Sequence, residues 1–207
     1  MDIIIKAVIF VSLFFIFIRL LEPTLSKRYA AAILSVKRNY TSDLPARLAR
    51  AVLPKKHVFR SLSLPIPGRD GEEINIGTLI VNKCGVFILC QIHGSGLIEN
   101  SQAKMWKHLQ NGASSDFDNP FTSQQDARSL LEFYAQSSGL ENIRAHTMVL
   151  YTDPTLKFTV PQSRSVIYAG DFPSKLSKME KFGKLSNMQV RSFCKLLTEI
   201  NQGALLY

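Results

Sequence analysis

The sequence predicts an α/β fold, a mixed central sheet flanked by helices, and three observations carry that expectation. Two short apolar runs, Ile74–Val81 and Val86–Ile92, flank the turn-like Asn82-Lys83-Cys84-Gly85 and read as a buried β-hairpin. Asn119-Pro120 carries the marks of a helix start, an N-cap residue followed by proline at the first helical position. The overall order, helix, three strands, helix, two strands, helices, mixes the two element types as an α/β sandwich does.

Residues 1–23, MDIIIKAVIFVSLFFIFIRLLEP, form the most apolar stretch of the chain. A bilayer core needs about 20 apolar residues in helical form, and Ile3–Leu21 approaches this if Lys6 and Arg19 reach opposite interfaces. The reading is a single uncleaved transmembrane anchor. A secretory signal peptide is the runner-up, but bulky residues stand where a peptidase needs small ones. A buried globular helix is the third reading. Lys6 stands alone on one side, whereas Arg19, Lys27, Arg28, Lys37 and Arg38 follow on the other. The positive-inside rule then puts the globular part in the cytoplasm, on the inner or plasma membrane.

Residues 24–41 read as an amphipathic juxtamembrane helix or linker, with Leu25, Tyr29, Ala32 and Val36 spaced three to four apart. It either lies along the headgroups or packs on the domain. The domain itself is expected over 42–202. Ser42 or Asp43 caps a short helix with Pro45 in its first turn and a stripe of Leu44, Leu48 and Val52. His57–Leu64 alternates Val58, Arg60, Leu62 and Leu64 with Phe59, Ser61 and Ser63, as an early strand would. Pro65 to Gly71 is a turn-rich loop into the hairpin, whose Gly85 supplies positive φ. Lys104, Trp106, Lys107 and His108 read as part of a helix, with Trp106 in the core.

The helix opening at Pro120 carries Phe121, Leu130, Leu131 and Tyr134 and ends at Ser137-Ser138-Gly139. Ala145–Tyr151 and Ser165–Tyr168 read as buried strands. Phe172–Phe182 and Ser186–Gln202 close the chain as helices, the second with Met188, Val190, Phe193, Leu196, Leu197 and Ile200 as its apolar set.

Composition narrows the function classes. The 207 residues suit one domain plus an appendage, and 46% hydrophobic content excludes a disordered chain. Twenty-five basic against 16 acidic residues give a net charge of +9, which suits nucleic acid, an anionic membrane, or a solvated surface with neither. Cys84, Cys90 and Cys194 show neither disulfide nor zinc-ligand spacing and read as reduced thiols.

Ile76-Gly77-Thr78-Leu79-Ile80-Val81, Gly85-Val86-Phe87-Ile88-Leu89, Gly96-Leu97-Ile98, Trp106 and Asn119-Pro120-Phe121 occur in an order that resembles the NERD (nuclease-related) domain family over residues 43–197. The resemblance implies a restriction-endonuclease-like fold. It also implies a site built from an Asp on one strand and Glu-x-Lys on the next. In an ungapped match Gly77, Cys90 and Ile92 occupy those positions; a one-residue slip of the second strand would put Gln91 and His93 there instead. The Gly85-Val86-Phe87 anchor favours the ungapped match, because a slip exchanges the faces of the strand. The family's upstream Gly-Glu falls near Asp43, and Ser123 or Gln124 stands for its helix-start Gln.

Metal-dependent phosphodiester cleavage needs carboxylate oxygens on Mg²⁺ and a cation near the transferred phosphate. With none of the three family residues present, the expectation is a catalytically inactive relative that binds nucleic acid or protein at the membrane, without metal or other cofactor. The rival is a divergent Mg²⁺ nuclease in which Glu72, Glu73 or Glu99 supplies the acid and His93 the base. A scaffold that binds only protein is the third reading. His93, His108 and His146 share no metal-ligand spacing, Gly94-Ser95-Gly96 reads as a tight turn, and Lys104 and Lys107 are the candidate phosphate contacts.

Overall fold

The computed structural model describes residues 43–101, 104–160 and 163–204, with side chains as far as 201. The anchor expected over 1–23 and the amphipathic segment over 24–41 lie outside the described residues. Among the described residues no helix is long and apolar enough to cross a membrane.

Helix α1 (Leu44–Arg50) leads through a 3₁₀ turn at Lys55–His57 into strands β1 (Val58–Pro65), β2 (Glu73–Asn82) and β3 (Gly85–Ile92). Short strands β4 (Leu97–Glu99), β5 (Met105–Gln110) and β6 (Ala113–Asp118) come next, then helices α2 (Pro120–Ser123) and α3 (Gln125–Ser137). Strands β7 (Ala145–Tyr151), β8 (Lys157–Phe158) and β9 (Val166–Tyr168) precede α4 (Phe172–Phe182) and α5 (Asn187–Ala204). The main sheet has the order β1-β2-β3-β7-β9, antiparallel through the hairpins and parallel from β3 onward. A second sheet, β6-β5-β4-β8, packs at the far end of the parallel strands.

The hairpin turn forms as its sequence requires. Asn82 Oδ1 accepts a hydrogen bond from the Cys84 N–H at 2.7 Å, and Gly85 has φ 133°. A β-carbon on Gly85 would lie 2.6 Å from the Arg144 carbonyl oxygen, so no other residue fits there. Both faces of the main sheet are covered. Val58, Ile80, Phe87, Leu89 and Leu150 pack under α1 and α4; Leu62, Ile76, Leu79, Val81 and Ile88 pack under α3 and α5.

These faces expose a departure from simple alternation. Val58 lies on the α1 side of β1, yet Leu62 and Leu64 lie on the α3 side. Ile80 and Ile76 of β2 divide the same way. Strict period two would keep each set together. The switch falls where Ser61, with φ 52°, stands across from Gly77, between the pairs Arg60↔Thr78 and Leu62↔Ile76. Both strands reverse faces at one level, so the register continues unbroken.

Three further expectations need correction. Lys104 to His108 is not helical: residues 105–110 form β5, whose partners β4 and β6 are too short and polar to stand out as strands. Trp106 is buried nonetheless, ringed by Phe117, Phe121 and Phe158. The helix opening at Pro120 is two helices, broken at Gln124, though Asn119 caps it as expected by accepting from the Phe121 N–H at 2.9 Å. Met188 is 75% exposed: it projects about 200° around α5 from Val190, away from the buried Val190, Phe193 and Leu197.

Candidate functional site

A groove of about 530 Å³ opens on the main sheet at the level of the face switch. Its floor is Gly77 and Thr78 of β2 with Leu89 and Gln91 of β3; Arg60 and Ser61 of β1, Asp43 and Pro45 at the start of α1, and His93 form its walls. The space has a backbone origin. Pairing between β2 and β3 runs from the turn to Leu79↔Ile88, and the residues beyond that level are the ones that line the groove. Ser61 in the left-handed region is the distorted residue of its rim, a conformation that costs a non-glycine residue about 1 kcal/mol or more.

Gly77, Gln91 and His93 thus share one groove, whereas Cys90 and Ile92 turn away from it. Alternation along β3 puts Leu89, Gln91 and His93 on the groove side. Ile92 is buried with Ile98, Trp106 and Val149, and Cys90 packs between that cluster and the α3 side of the sheet. Burial pushes the Cys90 thiol up to about 11, so it stays protonated at neutral pH and is no thiolate ligand. The ungapped pairing of Gly77 with Cys90 and Ile92 therefore does not describe one site. The slipped pairing, with Gln91 and His93, does.

Electrostatics in the groove centre on Asp43 and Arg60, which form an ion pair at 3.1 Å with both side chains about 40% exposed. Exposure of that degree limits the pair to about 1 kcal/mol. Asp43 does not cap α1 with its side chain, being turned to the arginine instead. Gln91 Nε2 stands 3.5 Å from His93 Nδ1, and burial lowers the His93 pKa. At neutral pH the groove therefore presents an amide, a neutral imidazole, the Ser61 and Thr78 hydroxyls and a guanidinium. That set can hydrogen-bond an anion or a backbone amide. It suits Mg²⁺ poorly, because the carboxylate lining the groove is already engaged and the other donors are neutral. Among the described residues no three His, Cys, Asp or Glu side chains cluster as metal ligands would.

The carboxylates considered for a rescued site lie elsewhere. Glu73 begins β2 and accepts from the Ser63 hydroxyl, Glu72 pairs with Arg69 at 3.0 Å, and Glu99 stands opposite Lys107 in the small sheet. Lys107 also faces Asp116 across the next strand, so acids on both sides offset its charge; Lys104 is exposed just before β5. Gly94-Ser95-Gly96 is a tight turn against β5, with Ser95 held by His108 and Gln110. Arg60 and Ser61 lie outside every motif, and Thr78 lies within the matched segment from Ile76 to Val81 but with no role assigned to it. Asp43 had a signal, its place near the family's upstream acid.

No protein-family model, curated protein or solved structure matches the chain.

Proposed function

We propose that this chain is a membrane-anchored, cytosol-facing protein with a NERD-type, restriction-endonuclease-like domain that has lost catalysis and binds nucleic acid along its groove. The observation that carries the reading is the convergence of Asp43, Gly77, Gln91 and His93 on one groove. These are the positions where the resemblance puts the family's upstream acid, Asp, Glu and Lys, once β3 is matched by the face it turns to the groove. An antiparallel hairpin followed by a parallel strand, with helices on both faces, supports the same scaffold. Replacement of Asp, Glu and Lys by Gly, Gln and His removes both the metal charge balance and the cation that phosphoryl chemistry needs. What is left is recognition: Arg60, Gln91 and His93 donors toward phosphate oxygens, on a chain of net charge +9.

The full chain in detergent is expected to shift duplex DNA with an affinity that falls steeply with salt, and not to nick plasmid with Mg²⁺ or Mn²⁺. Chelator-sensitive nicking that disappears in His93→Ala would overturn the inactive reading in favour of a divergent Mg²⁺ nuclease. Absence of any shift at about 50 mM salt would leave the groove to a protein partner. A further arm addresses the scaffold. A β-carbon on Gly77 meets nothing within 4 Å, so G77D/Q91E/H93K should fold and should bind Mn²⁺. A folded triple variant without Mn²⁺ binding would count against a nuclease-related site.

A further inference from the structure

The end of the main sheet opposite the groove carries a surface that the groove reading does not use. The α4–α5 connection is fastened to the β2–β3 turn: the Leu185 N–H donates to the Lys83 carbonyl at 2.9 Å, the Lys83 N–H donates to Glu180, and Gly183 lies so close to the Lys83 backbone that a methyl group would clash. Over this rigid base stand Lys83, Lys184 and Phe182, around a shallow depression of about 550 Å³. Lys181 Nζ lies 5.3 Å from the centre of the Phe182 ring. Phe182 is 71% exposed and Met188, in the first turn of α5, is 75% exposed, the two most exposed large apolar side chains among the described residues.

An exposed phenyl ring bordered by lysines has the chemistry of a surface that meets anionic lipid. The ring enters the headgroup boundary, and the ammonium groups remain at phosphate level. Charge favours this occupant: Lys83, Lys181 and Lys184 stand against Glu180, whose carboxylate already accepts from the backbone. We infer that the β2–β3 turn, with Phe182 and these lysines, docks on the anionic face of the bilayer and holds the groove away from it. The inference rests on the anchored reading of residues 1–23.

Its geometry is compatible with that anchor. Asp43, where the described chain begins, lies at the groove, about 20 Å along β3 from the turn at roughly 3.3 Å per residue. The nineteen residues from 24 to 42 would span about 28 Å as the helix read from the sequence and about 60 Å as an extended linker, and either length exceeds that distance, so the anchor and the docking surface can engage one bilayer together. In that pose the groove opens toward the cytosol, where a long polymer can enter it.

Cys84 lines the depression and is exposed, whereas Cys194 is buried and Cys90 largely so, which makes Cys84 a native labelling position. The full chain, labelled there with an environment-sensitive maleimide, would be reconstituted into phosphatidylcholine vesicles with or without phosphatidylglycerol. Each would carry a headgroup-level nitroxide lipid. Quenching is expected to be at least about threefold stronger with phosphatidylglycerol and to fall toward the neutral-lipid level in about 0.5 M salt. The exposed substitutions F182S/K184E should abolish the difference with an unchanged thermal melt. Equal quenching in both lipids, with the protein resisting alkaline extraction, overturns the docking inference alone and leaves the surface to a soluble partner. Extraction of the unmodified chain by alkaline carbonate overturns the anchor and the inference built on it.

Discussion

Ser61 and Gly77 decide between two accounts of the glycine in the groove floor. If Gly77 were glycine because the backbone demanded it, the resemblance proposed through that position would mean little. Its φ lies outside the left-handed region and its absent β-carbon faces open space, so the constraint falls on Ser61 instead. Strand propensity favours valine at an exposed strand position by up to about 1 kcal/mol, whereas the left-handed conformation penalises a β-branched residue by more. Ser61→Val is therefore expected to lower the urea midpoint by about 1 kcal/mol in stability and Ser61→Gly to leave it equal or higher. A more stable valine variant would mean that β1 runs straight through the groove.

His57 is the other residue with a measurable signature. Burial lowers its pKa below 6.5, and its buried ring nitrogens have no hydrogen-bond partner among the described residues. The unfolded chain binds the proton more readily, so stability is undiminished above about pH 6.5 and declines as the pH falls from 6.5 toward the folded value. Urea melts at descending pH should show this decline. His57→Phe should flatten it in part, because burial lowers His93 and His146 as well.

Among the elements, α5 shows how periodicity is read well on one face and too broadly on all. Val190, Phe193 and Leu197 follow the three-to-four spacing into the core, and the helix opens with a reciprocal cap between Ser186 and Gln189 at 2.9 and 3.1 Å. Met188 is apolar but lies off that stripe. Phe193→Ala is expected to cost about 3–5 kcal/mol, whereas Met188→Ala should fall within about 0.5 kcal/mol of the unmodified protein. Comparable losses at both positions would place Met188 in a contact inside the fold. Strands β4 to β6 teach the opposite lesson. Their apolar contribution is little more than Ile98, Trp106 and Phe117, and polar residues fill the rest, so no alternation announced them.

At the scale of the whole molecule, the two ends of the sheet carry different surfaces. One carries the groove with Asp43, Arg60, Gln91 and His93; the other carries Phe182 and the lysines around the β2–β3 turn. A net charge of +9 spread over such a body admits several partners, but the position of each charge separates them. Lys107 sits between acids in the small sheet, whereas Lys83, Lys181 and Lys184 gather beside exposed apolar groups. The proposed lipid docking at one end and polymer binding at the other would make separate demands, and variants at either end should leave the other intact.

The chain's own letters determined the α/β class, the hairpin and its turn, the Asn119 cap, both closing helices and the burial of Trp106, because each follows from local spacing, caps or a glycine's freedom. They also showed that the acids and the lysine expected from the proposed resemblance do not stand at the matched positions. Which of Cys90–Ile92 or Gln91–His93 faces Gly77 was settled only in three dimensions. A strand's side chains alternate, but the phase of that alternation depends on where neighbouring strands bend, and the bend at Ser61 and Gly77 leaves no mark in hydrophobic pattern. The pairing of Asp43 with Arg60, and of Leu185 with Lys83, likewise joins residues apart in the chain that only packing brings together.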